Sequence, residues 1–431
     1  MVGTMAVNKG SLAVSTSLSF GFWGIIATLG PLVASGSIIG NLSHNYKVFF
    51  LLVGPVTVPA GNVIMGFLAD KFGRRTVFTF TMILYTVGII VISMSYSVLY
   101  LAIGLILAEF GVGGEEPSSL SLISEEISAR KRPVWLTLIT NFNNIGSALT
   151  AGLFFIVTDN AEDRIILLVS SLVVITFILV ARIWLQESQI WMKADRMSSR
   201  EKMDPVESSH PDPFVGGQPD SDLHGAGENE FFNETSGERK IHPPFISSYI
   251  FLGIIGVSQY LTFGLMAYVI APIEFPSSSE DDLIILVALI GASVAGFFAA
   301  PLVSGKRKDY TLYSFMLGTI TMVIIIVLLP YLQDMFIFLP LLFANMFMSE
   351  FAWASRSVLE PELFSTRYRS SSIGLVRLWP MVAYPIFTYL TSSMNLTDFL
   401  MVNAGLWGAG LAVSIFWYFY GVETYNTSID Y

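Results

Sequence analysis

Twelve stretches of this chain are apolar for about twenty residues or more, and that pattern leaves few folds open. They read at 11–35, 48–69, 76–97, 98–122, 134–158 and 164–186, then at 247–273, 282–303, 311–332, 335–358, 371–394 and 398–420. A helix rising 1.5 Å per residue needs about twenty apolar residues to cross a ~30 Å hydrocarbon core. In that medium only helices and closed barrels satisfy their own backbone groups. These are therefore spans one to twelve of an all-α membrane protein. Charged residues make up 13% of the chain, about half the share of an ordinary soluble protein. The first run is longer than a signal-peptide core and is followed by further spans, so it reads as a retained membrane helix.

The breaks between spans are short and polar, as at 70–75, 130–133, 159–164, 277–282 and 305–309; the join at 93–97 is the weakest. Residues 191–244 differ from all of these. They are rich in Pro, Gly, Ser and acid, show no hydrophobic period, and read as a disordered cytoplasmic linker. The expected organisation is a six-helix bundle at 1–190, the linker, and a pseudo-symmetric six-helix bundle at 245–431. Much of the net charge of −10 comes from 187–238, which holds twelve Asp/Glu against four Lys/Arg, so it does not point to an acidic surface seeking a partner. The chain has no cysteine, which excludes disulfides and thiolate metal sites. His44, His210, His224 and His242 are scattered, and no phosphate-cradling G-x-x-x-x-G-K-[ST] loop occurs. No enzyme, cofactor, metal site, ATP-driven pump or nucleic-acid partner is expected.

Basic residues set the orientation. With the N-terminus in the cytoplasm, Lys71, Arg74, Arg75, Arg130, Lys131, Arg132, Lys306, Arg307, Lys308, Arg367 and Arg369 all fall in inward loops. The outward loops keep only Lys47 and Arg164. Both termini are then cytoplasmic.

The loop after span two reads Gly66-Phe-Leu-Ala-Asp70-Lys-Phe-Gly73-Arg74-Arg75. Its pattern, G-x-L-A-D-x-x-G-R-R after the second of twelve spans, resembles the signature loop of the major facilitator superfamily. Span four ends Gly111-Val-Gly-Gly114, then Glu125-Glu126-Ile and Arg132, similar to the G-x-G-G…E-I…R stretch of sugar porters. Span six ends Glu187-Ser188-Gln-Ile-Trp191, like that branch's P-E-S-P-R-W-L without its prolines and Arg. Span ten leads into Glu362-Leu-Phe-Ser-Thr366-Arg367-Tyr-Arg369, close to the E-L-F-P-T-R-x-R of sugar porters and organic ion transporters. The chain closes its last span with Val422-Glu423-Thr424, a worn P-E-T. The resemblance implies a solute transporter of the plasma membrane, acting as a monomer by alternating access. It also implies that Glu125 or Glu126, Arg132, Glu187, Glu362, Arg367 and Glu423 form ion pairs closing the cytoplasmic gate with the signature loop. The second-half counterpart of that loop, 303–309, keeps its positive charge but not the pattern.

An ionisable residue deep in a span costs at least ~2.5 kcal/mol on insertion scales and is a functional candidate by default. Glu109 lies eleven residues into span four, ~16 Å deep, with Glu116 on the same face. A carboxyl at that depth is a candidate proton carrier, since a low dielectric penalises the charged form. Sugar porters usually place an Arg four residues earlier; here Leu105 stands there, and span one has no acid to pair with it. Span five carries Asn141, Asn143, Asn144 and Ser147, amides that either bridge helices or bind solute. Span seven holds Gln259, Tyr260, Thr262 and Tyr268, similar in place to the sugar-binding helix of sugar porters. Arg377 in span eleven, with Pro385, resembles the Arg…Pro of organic ion transporters and metabolite–proton symporters, where the Arg suits an anionic solute; otherwise it snorkels to the gate. Glu350 and Arg356 in span ten pair with each other or serve Arg377, and Trp353 reads as packing. The expected solute is a sugar or an organic acid, moved with H+ by symport. An efflux antiporter or uniporter is the alternative, and a non-transporting membrane sensor is the alternative of another class.

Overall fold

The computed structural model describes residues 9–30, 44–156, 244–270, 278–391 and 394–428, with scattered residues between 165 and 192 and the pair Arg239–Lys240. Spans one to five are the helices Lys9–Ala27, His44–Phe72, Arg74–Met94, Val98–Glu126 and Arg132–Ile156. Span seven is Phe245–Gly264, running on through a π turn at Leu265–Val269. Spans eight to twelve are Ser278–Leu302, Arg307–Val327, Met335–Glu362, Arg369–Thr391 and Leu396–Tyr420. Most of span six and of 191–244 lies outside the described residues. Thr176 still donates its hydroxyl to the Leu172 carbonyl four residues back, and Ile175 packs in the first-half core, as a sixth helix requires. The chain is thus all-α, with twelve helices in two bundles of six. Among the described residues, eight helices are long and apolar enough to cross a membrane. The weakly marked join between spans three and four is real: the Ser95 hydroxyl accepts from the Ser97 amide at 3.1 Å, stopping one helix before the next begins.

Each bundle has its own core. Phe22, Trp23, Tyr85 and Leu105 are buried together in the first half, and Phe251, Phe315, Trp407 and Trp417 in the second, where Phe251 stacks on Trp417 at 4.1 Å. A third cluster joins the halves, with Leu120, Ile123 and Ile139 against Ala295, Ala299, Val358 and Ile373. The outward side chains are apolar as well: Phe297, Phe298, Val327, Phe336 and Phe419 are all exposed. An apolar surface this continuous is stable only against lipid.

Lipid tails give helices no hydrophobic reason to associate, so contact depends on close approach, which small residues allow. In the first half, glycines meet backbone. A Cβ at Gly113 in span four would stand 2.9 Å from the Val58 Cα of span two, and one at Gly88 in span three 2.6 Å from the Gly104 carbonyl of span four. Gly146 in span five lies directly against the Gly21 carbonyl of span one. In the second half several glycines meet rings, Gly253 against Trp379, Gly264 against Tyr384 and Gly318 against Trp407, while Gly291 meets the Phe343 carbonyl. The bundles touch along spans two and eleven, where Gly66 lies against the Ser370 backbone and Gly374 against Asn62 and Val63. They touch again along spans five and eight, where Asn141 Nδ2 donates to the Ser293 carbonyl at 2.8 Å. Arg239–Lys240, just ahead of span seven, pairs in parallel with Thr427–Ser428 after span twelve.

These contacts make a direct prediction. Gly146→Val places methyl groups into the Gly21 backbone and should cost about 1–3 kcal/mol or more, the usual toll of overpacking. Gly405→Ala should be silent, because nothing lies within 4 Å of a Cβ there. Thermal unfolding of the two variants in detergent compares them, and equal melting temperatures would contradict the packing described.

Candidate functional site

The loop after span two turns at Gly73, whose φ of 97° lies in the left-handed region that glycine adopts without strain. The turn carries Arg74 inward until its side chain is fully buried. Its guanidinium donates to the Ala69 carbonyl at 3.0 Å and to the Thr366 carbonyl of the other half at 2.8 Å. It lies 3.0 Å from Asp70 and 3.3 Å from Glu125. Asp70 reaches across in turn, accepting from the Ser371 amide at 2.8 Å, the Ser371 hydroxyl at 2.5 Å and the Ser370 amide at 3.4 Å. Those amides open the span-eleven helix, so a first-half carboxylate caps a second-half helix. Glu125 also receives Arg369 at 2.8 Å. Arg75 is exposed and Glu126 half-buried at the rim.

The second half repeats the latch. Arg307 donates through Nε and Nη2 to both Glu362 oxygens at 3.0 Å, and through Nη1 to the Val303 carbonyl at 2.9 Å. Thr424 donates to Glu362 at 2.6 Å. Glu423 accepts from the Arg307 and Lys308 amides at 2.9 and 3.2 Å, capping the span-nine helix. Arg132 completes the crossing: its Nη1 lies 3.9 Å from Glu362, and its Nε holds the Ser124 carbonyl. The 303–309 loop therefore still latches through Arg307, although the pattern around it is gone. Arg367 does not take the expected gate position. It sits in the short turn Thr366–Tyr368, exposed, with its guanidinium over the Tyr368 ring, while Arg369 opens the next helix and points inward. Glu187 lies outside the described residues.

Deeper in, charges compensate one another. Arg377 is bracketed by Glu116 of span four, its hydrogen-bonded partner across the bundles, and by Glu360 of span ten at 2.7 Å. It is neither a free cation for an anionic solute nor a snorkelling one. Arg356 pairs with Glu360 at 2.9 Å rather than with Glu350, and donates to Gln259 Oε1 at 3.3 Å. Gln259 Nε2 donates to Ser349 at 3.4 Å. Trp353 lies under both guanidiniums, 4.4 Å from Arg356 and 5.3 Å from Arg377, so it is a platform for arginines. Asn141 bridges helices to Ser293, whereas Asn144 Nδ2 donates to Glu350 Oε2 at 2.7 Å and to Asn141 Oδ1 at 3.3 Å. The Tyr268 side chain lies outside the described residues.

Glu109 is 3% exposed and sits apart from this network. Thr57 of span two donates to its Oε2 at 3.1 Å, and its carboxyl packs against Gly54 of span two and Gly30 beyond span one. No ion pair reaches it among the described residues. A side chain on Gly54 would crowd the carboxyl, since a Cβ there would stand 2.8 Å from Oε2.

The sequence motifs fall on this charge cluster, but Arg307 and Arg369 were missed among its ion pairs, and Glu116 and Glu360 were missed in the deeper network. The signal was present for Arg307, which follows Val303 much as Arg74 follows Ala69. Glu116 and Glu360 carry no such signal, because their partner is one arginine distant in sequence from both.

The Major Facilitator Superfamily description matches residues 12–388 of this chain. The niacin transporter NiaP of Acinetobacter baylyi is 28% identical over 120 residues, 28% of this chain and 27% of that protein. The chain thus spans little more than a quarter of that relative. The minor myo-inositol transporter IolF of Bacillus subtilis is 23% identical over 415 residues, 92% of this chain and 86% of its own length. Among solved structures, the proton:xylose symporter XylE bound to 6-bromo-6-deoxy-D-glucose superposes with a TM-score of 0.72 at 13% identity, covering 98% of this chain and 97% of that one. FucP in the outward conformation superposes with a TM-score of 0.61 at 12% identity, covering 94% and 98%. At these identities the likeness is one of fold.

Two arginines on either side of Tyr368 separate the buried charge cluster from its rim. Arg369→Ala leaves Glu125 short of a buried partner and should cost about 3–5 kcal/mol, while Arg367→Ala should stay within about 0.5 kcal/mol. Melting temperatures of the two purified variants decide it, and a loss confined to Arg367→Ala would reverse the assignment.

Proposed function

The chain belongs to the major facilitator superfamily, and on that premise we propose that it is a secondary transporter carrying a small polar organic solute together with H+ by alternating access. The observation that carries the coupling is Glu109, a buried carboxyl among neutral partners, Thr57 and two glycines. Burying an uncompensated carboxylate is costly, and a proton removes the charge. Glu109 takes a proton from the water on the open side and returns it on the other after the bundles rock around the midplane site.

The solute site lies between the bundles, lined by Asn144 and Gln259, with Asn141 and Arg377 fixing its walls and Tyr268 on the same helix as Gln259. Arg356 and Arg377 are already engaged by glutamates. Such a site presents amide donors and acceptors rather than a free cation, which favours a neutral polyhydroxy solute of the sugar or cyclitol class. The full-length similarity to a myo-inositol transporter supports the same class. An organic acid is the second reading, motivated by the partial similarity to a niacin transporter.

Asp70, Arg74, Glu125, Arg132, Glu362 and Glu423 with Arg307 and Arg369 form the gate. Gly66 and Gly73 permit its close approach, while Arg75 and Glu126 form its rim. The gate face carries the basic loops and is the cytoplasmic one, so both termini are inside and the plasma membrane is the site of action. The bundles 1–190 and 245–431, joined by 191–244, act as a monomer.

The test is transport by purified protein in liposomes, using labelled myo-inositol and labelled nicotinic acid as probes. Accumulation should follow an imposed pH gradient, inside alkaline, and Glu109→Gln should lower the accumulation ratio about tenfold per pH unit. Flux indifferent to the gradient would remove the coupling. Unaltered accumulation in Glu109→Gln would remove Glu109 from it, and binding without flux would turn the protein into a sensor.

A further inference from the structure

Spans four and ten occupy equivalent places in the two bundles, and each carries a cation-free carboxyl near the middle of its helix. Glu109 lies eleven residues into Val98–Glu126 and Glu350 fifteen residues into Met335–Glu362, ~16 Å and ~22 Å from the helix starts. Glu350 is 4% exposed. Its Oε2 accepts from Asn144, and its Oε1 has no hydrogen-bond partner among the described residues.

The groups around Glu350 do not balance a charge. Span five has no ionisable residue beyond Arg132 at its start, and span eight has none between Leu283 and Leu302. Span nine contributes Tyr310, a phenol stacked on Phe351 and in electrostatic contact with Glu350. From span seven, Tyr260 interacts with Glu109, Glu116, Arg356 and Arg377 instead. On span ten itself Arg356 is held by Glu360, and from spans four and eleven Glu116 and Arg377 hold each other. Around Glu109 the same holds: spans one and two place no ionisable residue at its level, span three places Tyr85, and span seven Tyr260. Every buried arginine at this depth is held by a glutamate, and neither Glu109 nor Glu350 has an ion pair among the described residues.

We propose that Glu350 is a second proton-binding carboxyl, so that two protons, one on Glu109 and one on Glu350, accompany each transport cycle. The inference rests on the proton-coupled reading above. A proton from water on the open side bonds to Oε1, which lacks a partner, and leaves to water on the opposite side; nothing else is exchanged. Glu350 also ties the bundles together, because Asn144 belongs to the first half. A hydrogen bond to an ionised carboxylate is roughly twice as strong as one to a neutral acid. Protonation therefore loosens the link between spans five and ten at the moment the halves must part.

Infrared difference spectra of the purified protein between high and low pH test this without any solute. The carbonyl stretch of each buried carboxyl appears as it protonates. Glu350→Gln should lose one band and Glu109→Gln a different one. A Glu350→Gln spectrum matching the wild type overturns the proposal, and Glu350→Asp, which keeps a carboxyl, should retain a shifted band. In liposomes with the membrane potential clamped at zero, two protons give about 100-fold accumulation of labelled myo-inositol per pH unit and one proton about tenfold. The wild type should show the former and Glu350→Gln the latter. A wild-type ratio near tenfold removes Glu350 alone, whereas a wild type indifferent to pH removes the coupling reading itself.

Discussion

The first turn of any helix leaves backbone amides without intrahelical acceptors, and inside a membrane protein water does not supply them. Here the amides of Ser370 and Ser371, at the start of span eleven, are met by Asp70 from the opposite bundle. Much of the gate face follows from that one contact. Gly66 must lack a side chain for the Ser370 backbone to come close, Arg74 must lie beside Asp70 to balance its charge, and Gly73 must turn the chain so that Arg74 can fold inward. Arg74 then finds Glu125 and the Thr366 carbonyl, and Glu125 finds Arg369. The closure is built from several moderate hydrogen bonds sharing a few carboxylates, so it can be undone piecemeal.

The same principle orders the interior. Ionised groups withdrawn from water must be compensated at short range. Arg377 accordingly takes two glutamates from two helices, and Arg356 takes one glutamate and an amide. Compensation does not extend to Glu109 and Glu350, whose nearest polar partners are a threonine hydroxyl and an asparagine amide. The interior thus sets a network of arginines and glutamates that compensate one another apart from Glu109 and Glu350, which have no ion pair among the described residues.

The twelve-span pattern, the two bundles and the place of the charge cluster after span two were legible in sequence, because hydrophobic length, loop charge and the glycine-bounded motif are local signals. The partners within the gate were not. Arg367 and Arg369 are two residues apart in one loop, and only the start of the span-eleven helix decides that the second turns inward while the first meets Tyr368. The fate of Arg377 was equally hidden, since it depends on Glu116, 261 positions away, and on Glu360, seventeen positions back. A lone arginine in a span reads as anion-binding until its neighbours in space are known.

Two kinds of glycine contact hold the helices together, and they differ in how they can deform. Glycine against backbone, as at Gly113 and Gly146, leaves no soft degree of freedom: helices in such contact slide or separate but do not yield. Glycine against an aromatic ring, as at Gly253, Gly264 and Gly318, rests on a side chain able to rotate about two torsions. Span seven adds a π turn beside one of these rings. Span seven, which holds Gln259, therefore meets its neighbours through glycine–ring contacts at Gly253 and Gly264, a softer seam than the backbone contact at Gly146.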